Sequence, residues 1–274
     1  SYGFNAIRLR IFHDPGQPNG YQFAWAQRTE PYCDLVHTVQ MAHRIKKADM
    51  YFMLNFHYSD TWADPGSQIK PALWSELSFV ELTAALYEYT RDVLSAFRAE
   101  GCLPNLVQLG NEITAGILFP DGQTYPSDNW EKPAELLISA ARAVRDVDPG
   151  IRIVLHLDKG GDNEATVWWL EEALSRGIDF DILAQSAYTR WQGGPESWRA
   201  NFSALAEQYP DLSFLIAEYS DKHEEVNDIM LSTPRGLGSF VWEPTADGEW
   251  GQGLFEMPTG QGLAYPRETL SIFK

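Results

Sequence analysis

Two glutamates each follow a short apolar run that is typical of a buried strand. Residues 106–109 precede Asn111 and Glu112, and residues 214–217 precede Glu218. In a parallel α/β barrel the carboxyl ends of all strands lie on one face, so side chains far apart in sequence can converge there. Glycoside hydrolysis requires two such carboxyl groups, one protonated and one ionised. Glu112 and Glu218 are therefore the candidate catalytic pair.

One glutamate after a strand is as readily explained by a helix cap or a surface position. Two glutamates in the same setting, with Asn111 directly before one of them and an arginine-rich strand upstream, favour the catalytic interpretation. Glu243, which follows a later strand, is a rival carboxylate, but the proline after it favours a turn or a binding role.

The first predicted strand places two arginines on one face. Arg8 and Arg10 alternate with Ile7, Leu9 and Ile11. An arginine beside an ionised glutamate lowers the pKa of that carboxyl group and keeps it nucleophilic. A structural ion pair at the barrel mouth explains either arginine alone equally well.

The loops after the other strands are rich in hydrogen-bonding and stacking side chains. A metal site at His57 and Asp60 is disfavoured, because no second histidine stands at a ligand spacing. Tyr188 is expected to donate a hydrogen bond to Glu218 and to hold it ionised. The residues of these strands and loops that we predict to bind substrate are Arg8, Arg10, His57, Asp60, Trp62, Asp64, His156, Asp158, Ser186, Tyr188 and Trp242.

Seven short apolar segments alternate with helical patterns, as expected for strands buried on both faces. A closed barrel has eight strands, so we predict an α/β fold of the (β/α)8 TIM-barrel type that lacks its first strand and helix. Either a neighbouring chain covers the exposed edges, or the chain is a fragment of a longer parent. The predicted strands are residues 5–11, 50–56, 105–109, 151–157, 180–185, 213–217 and 238–241. The predicted helices are residues 32–47, 78–100, 133–146, 165–176 and 198–209.

Composition narrows the class of partner. The chain has 274 residues, which fits one barrel domain over residues 1–274, and 44% of them are hydrophobic. No apolar run approaches the roughly 20 residues that a membrane helix needs. With 38 acidic and 21 basic residues the net charge is −17, so nucleic acid and other polyanions would be repelled. A neutral ligand is favoured, and self-association through the barrel edges is expected.

Five stretches of the chain resemble glycoside hydrolase family 53, the arabinogalactan endo-β-1,4-galactanases. The matching stretches are residues 3–10, 57–65, 110–120, 156–158 and 242–244. The resemblance implies retaining endo-hydrolysis of β-1,4-galactosidic bonds in (arabino)galactan, with Glu112 as acid/base and Glu218 as nucleophile. It also implies that Asn111 binds the sugar 2-hydroxyl group. An extracellular or periplasmic location and the absence of a cofactor follow from the same resemblance.

Other readings stay open at this point. In one alternative, the chain is a hydrolase of the same clan that acts on another β-1,4-glycan, namely mannan, xylan or glucan. In the other, the chain is a catalytically silent remnant that only binds carbohydrate. The calcium site of some bacterial relatives is not expected, because Asp247 and Glu249 are the only local ligands and calcium takes six or more oxygens.

Overall fold

The structure is a computed structural model that describes residues 3–26, 30–125, 129–245, 253–256 and 264–273. The chain divides into two compact units. The N-terminal unit comprises Ala6–Asp158 and Glu164–Leu183, and the C-terminal unit comprises Ser1–Asn5, Lys159–Asn163 and Ala184–Lys274. Within the described ranges, no helix is both long enough and apolar enough to cross a membrane. One domain over residues 1–274 stays a prediction.

Parallel strands form the centre of the N-terminal unit, and all of them except the first are buried along most of their length. They are β1 (Ala6–Ile11), β2 (Tyr51–Phe56), β3 (Leu106–Leu109), β4 (Arg152–Leu157) and the first residues of β5 (Ile182–Ser186). β1 pairs with β2, β2 with β3 and β3 with β4, all in parallel. The backbone N–H of Asp181 donates to the carbonyl of Ile153 at 3.0 Å. The start of β5 therefore lies beside β4.

Two of the four helices of the N-terminal unit begin at a side chain that accepts a hydrogen bond. They are α1 (Leu35–Lys47), α2 (Phe79–Ala99), α3 (Glu131–Val147) and α4 (Asn163–Ser175), which belongs to this unit from Glu164 onward. The Asp34 carboxylate accepts the backbone N–H of His37 at 2.8 Å at the start of α1. Ser78 and Glu81 form a reciprocal capping box at the start of α2. These side chains satisfy backbone donors that no helical bond uses.

The C-terminal unit contains the end of β5, two further parallel strands and a short antiparallel pair of strands, Phe255–Glu256 with Tyr265–Pro266. Its other elements are α5 (Pro195–Gln208), β6 (Ser213–Tyr219), α6 (His223–Ser232) and β7 (Gly236–Val241). β6 and β7 are parallel, with register shifts along the pair. The backbone N–H of Ala187 donates to the carbonyl of Glu218 at 2.9 Å. The ends of β5 and β6 therefore lie side by side, which brings the loop after β5 next to Glu218.

The seven predicted strands are all present, each with bounds within two residues of the prediction, and the five predicted helices lie within three. The α/β fold class is therefore confirmed at the level of its elements. The sequence reading missed α6 and two short antiparallel pairs of strands, Gly116–Ile117 with Gly122–Gln123 and Phe255–Glu256 with Tyr265–Pro266. α6 has only 10 residues and the strands of these pairs only two each, so none of them shows a periodicity long enough to recognise.

Replacing Gly116 by alanine should destabilise the fold much more than the same change at Gly101. Gly101 has a φ of +67°, which costs an alanine about 1–2 kcal/mol. Gly116 has φ +105° and ψ −163°, a backbone region almost restricted to glycine that costs about 1–3 kcal/mol. A Cβ at Gly116 would lie 1.9 Å from the Gly122 carbonyl oxygen, whereas a Cβ at Gly101 meets nothing within 4 Å. In urea titrations we expect a loss of about 3 kcal/mol or more for Gly116→Ala and about 1–2 kcal/mol for Gly101→Ala. Equal losses of unfolding free energy in the two variants would contradict the predicted clash between a Cβ at Gly116 and the Gly122 carbonyl oxygen.

Candidate active site

Arg8 joins β1 to the tip of β3 through its guanidinium group. Its Nε donates to Gln108 Oε1 at 3.0 Å, and its Nη2 donates to Asn111 Oδ1 at 2.8 Å. Both acceptors are buried. A planar guanidinium held by two separate amide oxygens has a defined orientation, so the positive charge of Arg8 is fixed at the carboxyl end of the parallel strands.

Asn111 is the most highly connected residue of this region. Its side-chain oxygen accepts from Arg8 and also from Asn55 Nδ2 at 3.2 Å, while its Nδ2 donates to the Ala63 carbonyl at 2.9 Å. The residue is only 5% exposed. Because donors surround the oxygen and a carbonyl faces the nitrogen, the orientation of the amide is determined. Nδ2 carries a second hydrogen that the bond to Ala63 does not use.

A tight turn delivers Asn111 and Glu112 from the end of β3. Gln108 Nε2 donates to the Gly110 carbonyl at 2.7 Å, and Gly110 has a φ of +77°. A Cβ at Gly110 would lie 2.5 Å from Ile113 Cγ2, so only glycine fits this turn without rearrangement. Glu112 follows in the left-handed region, with φ 50° and ψ 53°, and is half-buried.

Two buried histidines flank the Asn111 amide. His156 Nδ1 lies 3.2 Å from Asn111 Oδ1, and His57 Nδ1 accepts the backbone N–H of Ala63 at 3.0 Å. Burial holds the pKa of His57 well below its usual value, and the positive charges of Arg8 and Arg10 lower it further. Burial likewise lowers the pKa of His156, with added contributions from Arg8 and His57. Both rings are therefore neutral near pH 7.

Arg10 packs on aromatic rings. Its guanidinium carbon lies 4.2 Å from the centre of the Trp62 ring and 5.6 Å from that of Tyr21. Trp62 and Tyr21 in turn meet edge to face at 5.5 Å. Trp62 remains partly exposed. The cation–π contact supports the ring at the surface, where a sugar could stack on it.

The two acidic residues of the loop after β2 have different surroundings. Asp60 is buried, and its two oxygens accept the backbone N–H groups of Asp14 and Ala72 at 2.9 and 2.8 Å. Asp64 is exposed, and its Oδ1 accepts the N–H of Gly66 at 2.8 Å. Both carboxylates therefore organise loops, and their predicted contact with substrate stays a prediction.

Glu218 lies near the end of β6 and is held by the loop after β5. The Tyr188 hydroxyl donates to Glu218 Oε2 at 3.1 Å, which confirms the hydrogen bond expected from the sequence. Glu218 is 5% exposed. A buried carboxylate that accepts a hydrogen bond from a fixed hydroxyl group has a defined orientation.

The loop that carries Tyr188 is itself braced. The backbone N–H of Tyr188 donates to Gln192 Oε1 at 3.0 Å, and the Tyr188 ring meets the Trp191 ring edge to face, with 5.8 Å between the ring centres. Trp191 is 51% exposed. The other predicted residues of the C-terminal unit are Ser186, which is fully buried at the end of β5, and Trp242, which is half-buried directly after β7. Asp158, in the N-terminal unit, is half-buried directly after β4.

Sequence reasoning missed three buried amide residues of the N-terminal unit. Asn55 and Gln108 lie inside strands, and Gln68 lies in the loop after β2, where its Nε2 donates to the Asn111 carbonyl at 2.7 Å. All three are 2% exposed or less. For Asn55 and Gln108 the available signal was a single polar residue inside an otherwise apolar strand, since a buried amide needs hydrogen-bond partners. Gln68 lies in a loop and gave no such signal.

No group of three or more histidine, cysteine, aspartate or glutamate side chains that could hold a metal ion occurs within the described part of the chain. Asp247 and Glu249, the candidate calcium ligands, lie outside the described residues.

The sequence model that represents glycosyl hydrolase family 53 matches residues 1–235 of this chain. An uncharacterized protein of Niallia circulans is 40% identical over 75% of this chain, which spans 54% of that protein. An arabinogalactan endo-β-1,4-galactanase of Humicola insolens is 31% identical, with 99% of this chain and 87% of that protein covered.

A solved structure shows the same relationship. The family 53 catalytic domain of Ignisphaera aggregans superimposes with a TM-score of 0.86 at 30% identity, over 100% of this chain and 85% of that domain. This similarity confirms the TIM-barrel fold class that the sequence predicted.

The lowered pKa values of the two histidines predict a pH-dependent stability. In the unfolded chain both rings take up protons below about pH 6.5, whereas in the folded protein they resist protonation. The contribution of the two histidines to the free energy of unfolding is therefore complete above about pH 6.5. It falls as the pH decreases, by up to about 1.4 kcal/mol per pH unit for each histidine. Urea titrations between pH 5 and 7.5 should show a shallower slope for His57→Asn and for His156→Gln than for the unchanged protein. An unchanged slope in both variants would contradict the prediction.

Proposed function

Since the chain belongs to glycosyl hydrolase family 53 and is a glycoside hydrolase, we propose that it hydrolyses internal β-1,4-galactosidic bonds of galactan or arabinogalactan. The observation that carries this proposal is the similarity along 99% of the chain to a protein named arabinogalactan endo-β-1,4-galactanase. The partner is then a neutral polysaccharide, in agreement with the net charge of −17, which disfavours nucleic acid and acidic glycans.

Glu112 and Glu218 have the catalytic roles in this proposal. The Glu112 carboxyl group protonates the leaving glycosidic oxygen while the Glu218 carboxylate attacks the anomeric carbon, so that a glycosyl enzyme forms and the shortened chain leaves. Glu112 then removes a proton from water, which displaces Glu218 with net retention of configuration. The Tyr188 hydrogen bond to Glu218 supports the nucleophile assignment, because it holds the carboxylate in one orientation.

Asn111 binds the 2-hydroxyl group of the sugar beside the reaction centre. Its amide orientation is set by Arg8, Asn55 and Ala63, as the hydrogen bonds above describe. The N–H that Ala63 does not use is the donor available to a sugar hydroxyl. A hydrogen bond to the 2-hydroxyl that strengthens in the transition state contributes to catalysis in such enzymes.

The remaining predicted residues form the sugar-binding surface. Trp62 and Trp242 supply ring faces, and the polar side chains supply hydrogen bonds to hydroxyl groups. The neutral state of His57 and His156 suits an uncharged ligand. The polar and charged members are Arg8, Arg10, His57, Asp60, Asp64, His156, Asp158, Ser186 and Tyr188.

An extracellular or periplasmic location follows from the same proposal, because a polysaccharide does not cross a membrane before it is cut. Self-association of the chain is part of the proposal as well. Sedimentation at several protein concentrations tests it, and a monomer at all of them would contradict self-association without affecting the catalytic assignment.

Reducing-sugar release from linear β-1,4-galactan tests the proposed function directly. We expect activity on this polymer and little on mannan, xylan or β-1,4-glucan. Glu218→Gln should abolish it, and Glu112→Gln should lower it by about 10²- to 10⁴-fold, the usual contribution of a general acid. Glu224→Gln, an exposed change on α6, is the matched control and should leave activity unchanged.

Three results would contradict parts of the proposal. Preference for another polymer would replace the substrate assignment. Retained activity in Glu218→Gln together with its loss in Glu243→Gln would move the nucleophile to Glu243. Binding of galactan without turnover by a folded chain would identify a silent carbohydrate-binding protein.

A further inference from the structure

Gln68 contacts both ends of the segment that carries Glu112. Its side-chain Nε2 donates to the backbone carbonyl of Asn111 at 2.7 Å. The backbone carbonyl of Gln68 accepts the backbone N–H of Phe119 at 2.7 Å. Ile69 also forms a parallel bridge with Phe119. Gln68 is 2% exposed, so these bonds are shielded from water and competing solvent does not weaken them.

The carbonyl that Gln68 holds belongs to the peptide group between Asn111 and Glu112. The orientation of that peptide plane is linked directly to φ of Glu112, which is 50°. A glutamate in the left-handed region is disfavoured and persists only where surrounding contacts determine the backbone. The bond from Gln68 is one such contact. It therefore helps to determine the direction in which the Glu112 side chain leaves the backbone.

A short turn fixes Gln68 in turn. Asp64 and Ser67 exchange two backbone hydrogen bonds, at 2.9 and 3.0 Å, and the Asp64 carboxylate accepts the N–H of Gly66 at 2.8 Å. Gln68 Nε2 additionally donates to the Asp64 carbonyl at 3.0 Å. Both hydrogens of the Gln68 amide thus have acceptors, and the side chain cannot rotate without breaking a bond.

We propose that Gln68 is a positioning residue for the general acid: by holding the Asn111 carbonyl it aims the Glu112 carboxyl group at the leaving glycosidic oxygen. This inference rests on the proposed function, in which Glu112 is the acid/base. Gln68 itself touches no reacting atom. Its loss should impair proton donation specifically, because a misplacement of about 1 Å costs about a hundredfold in rate.

The dependence on the leaving group separates this role from a structural one. Galactan has a poor leaving group that requires a proton, whereas a 2,4-dinitrophenyl β-galactotrioside releases a phenolate that requires none. For Gln68→Met, which keeps the length and loses both donors, we expect kcat/KM to fall about 10- to 100-fold on galactan. On the dinitrophenyl substrate we expect a change of less than about threefold, since proton donation is not needed there. Gln68→Glu, whose ionised carboxylate cannot donate, should behave in the same way.

Two reference variants keep the outcomes distinct. Glu112→Gln should show the same leaving-group dependence with a larger loss on galactan, and Gln40→Met, an exposed change on α1, should leave both substrates unaffected. If Glu112→Gln lowers kcat/KM equally on both substrates, the acid/base assignment fails. Suppose that Glu112→Gln shows the leaving-group dependence, but both Gln68 variants lower kcat/KM by the same factor on the two substrates. Gln68 is then merely structural, and the inference is overturned. Activity on the dinitrophenyl substrate reports that each variant is folded.

Discussion

The hydrogen bond from Arg8 to Asn111 is the interaction on which the rest of the N-terminal site depends. It places a permanent positive charge against a buried amide oxygen at 2.8 Å. Because a charged donor stabilises such a contact more than a neutral one, it determines the orientation of the Asn111 amide. The second arm of Arg8 binds Gln108, whose side chain also supports the turn at Gly110. One guanidinium therefore couples β1 to the strand end that presents Glu112.

Burial is the main cause of the low pKa of the two neighbouring histidines, and the charge of Arg8 adds to it. Two neutral imidazoles can exchange hydrogen bonds with uncharged hydroxyl groups without adding charge to a buried region. In the C-terminal unit a neutral donor, the Tyr188 hydroxyl, orients the Glu218 carboxylate. Each unit thus holds its candidate catalytic glutamate by contacts made at strand ends.

Much of this arrangement was predictable from local sequence patterns. Glu112 and Glu218 follow apolar strands, and the expected bond between Tyr188 and Glu218 is present. The hydrogen bonds of Asp60 were not predictable, because its partners Asp14 and Ala72 come from separate loops and only the tertiary structure brings them together. Asn55, Gln68 and Gln108 were missed for a related reason. A single amide in an apolar strand, as at Asn55 and Gln108, shows that a polar group is buried but not which acceptor it meets. Gln68 lies in a loop, where the local sequence does not indicate burial.

The central claim is that Glu218 forms the covalent glycosyl enzyme. An activated 2-deoxy-2-fluoro β-galactobioside traps such an intermediate, because the fluorine slows its hydrolysis, and peptide mass spectrometry then identifies the labelled residue. The account predicts one glycosyl group per chain on the peptide that contains Glu218, and no label in Glu218→Gln. A label on another carboxylate, or turnover of galactan with inverted configuration and no label, would contradict it.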